Sequence, residues 1–383
     1  MSQNPLTSFL RNLALCAAPL AAFAAFGTPA QAQGDKIYQP GQDKPLAGNP
    51  TITDETLTEI VYQIAGGGKS RCPREGARIQ YGGPEEIPFT KALNAMSTGD
   101  FAGALAILDP MKPTREIFVP RRLYLIAKCN EALDHAAEAE KLYGELVSKF
   151  ENNYWAGQAV RSLVEIQIKN KNFSGAVATA DRGVAIAQKL KAESMIYAFR
   201  IFKAAAYEAQ EDLKKAGDEY REVASSAASS KEGAGAAKLA NIGLARLAAR
   251  QGDVARAKTT LEPILKETDP ALLGPAYAAM GEAQLSQGVS EKNLELLRDA
   301  AIGSFMRVIV QCPPSPSESQ DPLEWAIYGY IRAAKRITEL EKKKEEQDFW
   351  NSEGLKYCKE FQERFRSSRL APKVAELRKE FRG

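Results

Sequence analysis

KLANIGLARLAARQGDVARAKTTLEPILKETD, residues 238–269, holds two helical runs broken by Gln251-Gly252-Asp253. Leu244, Ala245 and Ala248 fall on one face of the first run. Ala257, Leu261 and Ile264 fall on one face of the second, at the three- and four-residue steps of an α-helix. Small residues stand where two helices must approach closely, and larger ones stand where space must be filled. The stretch therefore reads as one hairpin of two packed helices.

Related hairpins recur along the chain. The first carries Ala92, Ala95, Gly99-Asp100-Phe101, Ala104 and Leu108. The second has Leu123, Ile126 and Ala127, then Ala139, Tyr143 and Leu146. The third has Val160, Leu163 and Val164, then Phe173, Ala176 and Ala180. The fourth pairs Ala204 and Tyr207 with Ala216, Tyr220 and Val223, and its exit, Ser225 to Ser230, reads as a loop or frayed end. A sixth begins with Tyr277, Met280, Gly281 and Gly288, but Ala301, Phe305 and Val308 fit about eight residues late, which implies an insertion near Ser290–Asp299. A seventh begins with Trp325, Tyr328 and Gly329 and continues with Tyr357, Phe361 and Phe365. The run Glu341 to Glu346 extends or interrupts its helix and reads as a solvated face. A last helix ending near Phe381 shows Lys373, Glu376, Arg378 and Lys379 to water, as a terminal repeat requires.

This pattern resembles the tetratricopeptide (TPR) repeat, whose units hold about 34 residues. The spacing here starts near about 35 and stretches to about 40, which is similar to the TPR proteins of the bacterial cell envelope. Phe150 to Ala156 and Phe365 to Ala371 resemble the link between repeats in that group, without its proline. The resemblance implies a mainly α fold: a TPR-like α-α superhelical solenoid of about seven helix pairs over residues 84–383.

Residues 33–83 follow another period. Ile37-Tyr38, Glu59 to Ile64, Lys69 to Cys72 and Ala77 to Tyr81 read as strands, with Ala65-Gly66-Gly67-Gly68 as a hairpin turn. They resemble a small β-meander, SH3-like or Sm-like module. About fifty residues make a marginal core, so the module should dock on the first helices. Residues 1–32 read as a secretory signal peptide: Arg11, an apolar run from Leu13 to Phe26, and Ala30-Gln31-Ala32 as the exit, with cleavage after Ala32. The expected location is the periplasm or cell envelope of a bacterium, and no later stretch is long and apolar enough to span a bilayer.

The chain has 383 residues, 44% hydrophobic and 26% charged, as in ordinary globular proteins, and a net charge of +3. So even a balance argues against nucleic acid as the main partner. Cys72, Cys129, Cys312 and Cys358 lack the C-x-x-C spacing of structural zinc. Export allows a disulfide, and Cys312 with Cys358, near the ends of the last helices, is the pair to expect. His135, the one histidine, sits in an inter-helix turn. Gly66-Gly67-Gly68-Lys69-Ser70 lacks the first glycine of a phosphate-binding loop and follows a strand. No paired carboxylates suggest glycosidase chemistry. The expectation is a non-enzymatic chain with no cofactor and no metal.

In the TPR family the first helix of each pair lines a concave groove. The resemblance carries that role to Arg121, Tyr124 and Lys128, to Gln158, Arg161 and Glu165, and to Ile242, Arg246 and Arg250. Such a mixture suits an extended peptide bearing carboxylates. The expected function is thus an interaction scaffold for a protein or peptide partner. The alternatives are a self-associating structural envelope protein and an accessory factor for enzymes acting on envelope polymers.

Overall fold

The computed structural model describes residues 34–230, 233–312, 321–366 and 368–381; the leader expected at 1–32 lies outside them. The chain is mainly α, in TPR-like helix pairs that follow a small antiparallel β region. It divides into two compact units. One runs to Asp212 and includes Ser230–Gly235; the other comprises Leu213–Ser229 and Ala236–Gly383.

In the first unit β2 (Thr51–Glu55), β3 (Glu59–Gln63) and β4 (Lys69–Pro73) form an antiparallel meander. Gly66 turns the β3–β4 hairpin at φ +77°, where glycine carries no Cβ penalty, so the glycines form a turn and Lys69-Ser70 open β4. β1 (Lys36–Tyr38) and β5 (Arg78–Gln80) make a separate two-stranded ladder, so the strands form two sheets and not one closed barrel. β2 was not foreseen. Its sequence, TITDE, is acidic, and Glu55 points inward, only 1% exposed, to accept from Arg74 and from the Tyr81 hydroxyl, each at 2.6 Å.

Four helix pairs begin here: α1 (Glu86–Ser97) with α2 (Phe101–Leu108), α3 (Phe118–Ala132) with α4 (Ala136–Lys149), and α5 (Tyr154–Lys169) with α6 (Phe173–Lys189), followed by α7 (Glu193–Ala209). One device turns each pair. A left-handed residue closes the first helix, at Gly99, Asp134, Lys171 and Glu211, and the next amide donates back five residues. Asp100 to Ala95, His135 to Asn130, Asn172 to Gln167 and Asp212 to Tyr207 span 2.7–2.9 Å. Asp100 and Asn172 then cap the second helix through the amides of Gly103 and Gly175.

The β region docks on these helices as expected. Ile37, Ile52 and Ile60 share one apolar core with Phe89, Phe118 and Leu125. Asp35, 4% exposed, accepts from the amides of Ile52 and Gly82 and pairs with Arg115 at 2.6 Å. The amide of Leu57 donates to Asn152 in the link before α5, at 3.0 Å.

The second unit holds α8 (Leu213–Ser226), α9 (Ala234–Arg250, whose first two residues belong to the first unit), α10 (Val254–Leu261) and α11 (Pro270–Glu291). α8 takes in only Ser225 and Ser226 of the stretch expected to fray, and a 3-10 turn at Ala227–Ser229 follows and buries Ala227. The quoted hairpin turns at Gly252 (φ +83°), with Asp253 capping α10. Ala257, Leu261 and Ile264 are buried.

The insertion near 290–299 takes a specific form. α11 is long, and α12 (Leu294–Arg298) passes into a π-helical segment, Asp299–Phe305, before α13 (Met306–Gln311). The wider turn absorbs the register shift. α14 (Asp321–Leu340) and α15 (Lys344–Arg364) form the last pair, and the charged run interrupts them. Glu341 accepts from the amides of Lys342 and Lys343 and pairs with Arg298 at 2.7 Å. α16 (Ala371–Glu380) buries Val374 and exposes Lys373, Glu376, Arg378 and Lys379.

The expected Cys312–Cys358 bridge is absent. All four described cysteines are free thiols. Cys358 is buried in α15, close enough to α16 to feel Arg378, whereas Cys312 ends α13 against Gly274 of α11. Burial pushes the thiols of Cys358 and Cys129 up to about 11, which keeps them protonated.

Candidate partner-binding surface

The residues assigned to the groove lie on α3, α5 and α9, and the structure sorts them by burial. On α3, Arg121 is 6% exposed. Its guanidinium donates to both carboxylate oxygens of Glu86 and lies over the rings of Phe89 and Tyr81, at 4.4 and 5.0 Å. Tyr124 is buried between Tyr143 and Trp155, with ring centroids 5.8 and 5.4 Å away. Ile242 on α9 is 2% exposed. These three belong to the core, because neighbouring side chains cover the face that the resemblance had assigned to the groove. Gln158 on α5 is buried as well.

The rest stay within reach of a partner. Lys128 pairs with Glu131 at 2.9 Å, and the Tyr143 hydroxyl donates to the same carboxylate. Burial pushes the Glu131 carboxyl upward, but Lys128 and that hydroxyl outweigh it and hold the pKa below the usual glutamate value. Arg161 donates to Glu165 at 2.9 Å along α5. On α9, Arg246 donates to the Tyr220 hydroxyl at 3.1 Å, and Arg250 is exposed at the helix end. Lys128, Arg161 and Arg246 are each steadied by a named acceptor, which lowers the entropy lost on binding.

A depression between α2, α3 and α4, about 330 Å³ in volume, went unforeseen. Leu105, Leu123, Ile126 and Leu142 line it, with Asp109, Arg122, Asn130 and Glu138 at its edge. The sequence offered only the apolar residues of each helix, and the gap between helices is a tertiary fact.

His135 is exposed at the start of α4, its Nδ1 3.2 Å from Asn130 Oδ1. Among the described residues no group of three or more His, Cys, Asp or Glu side chains could hold a metal ion. No described helix is long and apolar enough to cross a membrane.

No protein-family model matches the chain, and neither does any curated protein. Among solved structures it is similar to a tetratricopeptide repeat protein from Parabacteroides merdae, at 11% identity and a TM-score of 0.49, over 78% of this chain and 98% of that one.

Proposed function

We propose that this chain is a non-enzymatic interaction scaffold of the bacterial periplasm or cell envelope, which binds an extended, carboxylate-bearing peptide of a partner protein. One observation carries the reading: in the first unit, Lys128 on α3 and Arg161 on α5 remain accessible on first helices whose cores are filled without them. Guanidinium and ammonium groups so placed favour carboxylates. The export part rests on Arg11, the apolar run to Phe26 and Ala30-Gln31-Ala32. The test is affinity capture from the envelope fraction by residues 33–383, followed by mass spectrometry. A protein retained by the parent chain and lost from both Lys128→Glu and Arg161→Glu supports the groove. Retention indifferent to both overturns it. N-terminal sequencing of the exported chain should begin at Gln33.

Self-association has its own motivating feature. Ile302 and Val310 are 55% and 66% exposed, eight residues apart on one helical run. Sedimentation that stays monomeric at high concentration removes that alternative.

A further inference from the structure

Phe305 fixes a second surface, in the second unit. Its ring meets Gly281 of α11 on one side and Gly329 of α14 on the other. Gly288 touches Leu297 and Gly274 touches Cys312, so α11 runs antiparallel to residues 297–312. Arg298 pairs with Glu341, so α14 runs antiparallel to the same stretch. α11 and α14 are therefore parallel to each other. Tyr277 and Trp325 each stand one turn before the glycine that touches Phe305, which puts both at the same level.

Each ring carries an arginine. Arg369 lies over Trp325 at 5.4 Å, and Arg307 lies over Tyr277 at 5.1 Å and donates to its hydroxyl at 2.7 Å. Neither makes an ion pair among the described residues. Their neighbour Arg332 differs, being neutralised by both oxygens of Glu282, at 2.9 and 3.0 Å. Trp325, Tyr277 and Arg369 are half-buried, and Arg307 is exposed.

We infer that this face of α11 and α14 is a second binding site, which takes an acidic segment of a partner protein on Trp325 and Tyr277, with its carboxylates on Arg369 and Arg307. A guanidinium held flat on a ring keeps its edge for a carboxylate, and the fork matches two oxygens. Trp, Tyr and Arg are the residue types that dominate binding energy at interfaces. Glu324 accepts from Ser368, the neighbour of Arg369, and its carboxylate would repel a continuous phosphate backbone, whereas spaced side-chain carboxylates can avoid it. The site does not depend on the groove of the first unit.

The test uses residues 33–383 and a fluorescein-labelled synthetic peptide alternating Glu and Leu, read by anisotropy. Its control is the same peptide with Gln for Glu. The Glu peptide should bind, the Gln peptide should bind far more weakly, and Arg307→Glu and Arg369→Glu should each weaken binding by roughly tenfold. Arg161→Glu should leave it unchanged, which separates this site from the groove. Circular dichroism checks that the variants fold. Absence of binding, indifference to both reversals, or displacement of the peptide by a single-stranded oligonucleotide would overturn the site.

Discussion

Arg121 shows how a residue's role passes from its own helix to its neighbours. The family resemblance puts it in the groove, yet Glu86, Phe89 and Tyr81 enclose it. A half-broken buried ion pair is costly, so Arg121→Ala should destabilise the chain by roughly 3 kcal/mol. Arg121→Met should lose clearly less, since its stem can still pack among the rings. Urea unfolding of both variants checks the order, and equal losses would place the effect in the ion pair with Glu86 alone. Glu131 makes a pH prediction. Its carboxyl is held below the ordinary value of about 4.3, so it contributes stability above that pH and loses the contribution as pH falls through its lowered value. The unfolding midpoint should hold from neutrality to about pH 5 and drop below about 4. Glu131→Gln should flatten part of that drop. The thiols act at the other end of the scale. Cys129 and Cys358, raised to about 11, favour the fold below the ordinary thiol value, and that support fades as pH rises past it. With Ellman's reagent and no reductant at neutral pH, half-exposed Cys312 should react first. Cys129 and Cys358 should react only on denaturation, and thiols missing after denaturation would mean a bridge exists.

At the scale of the element, the helix pairs were legible because alanine, leucine and tyrosine mark their contacts at fixed steps. Their turns were half-legible. The left-handed position is glycine at Gly99 and Gly252 but Asp134, Lys171 and Glu211 elsewhere, so the same geometry has no common letter. The π segment was seen only as a mismatch in frame, since a wider turn leaves no composition of its own. Close approach is sharper evidence. A Cβ on Gly329 would lie 2.3 Å from the Phe305 ring, and one on Gly281 would lie 2.5 Å from it. The ring is wedged between both helices and cannot withdraw. Gly329→Ala should therefore cost about 1–3 kcal/mol through overpacking. Phe305→Leu in the same chain should recover part of the loss by making room. Thermal unfolding decides it; an unchanged midpoint in Gly329→Ala would show that α11 and α14 separate easily.

For the whole molecule, repeats and the β region could be read from the sequence, while the surface left for a partner could not. Groove positions follow from one helix, but exposure depends on what lands on that helix. Here the β region lands on α3 through contacts far apart in sequence, Asp35 with Arg115 and Tyr81 against Phe118, 5.1 Å between centroids. Those contacts also tell where instability would spread. Asp35 is buried with four donors on its one carboxylate: two amides and two guanidinium nitrogens. Asp35→Ala would leave Arg115 and both amides wanting an acceptor, each a desolvated donor. In a repeat array every pair leans on its neighbours, so the effect should be greatest nearby and fade with distance along the chain. Hydrogen exchange in Asp35→Ala should accelerate in β2, β5 and α3, change less in α5, and stay near the parent rate in α14 and α15. Acceleration of equal size from β1 to α16 would mean that the chain opens as one cooperative body, because only global unfolding exposes both ends together.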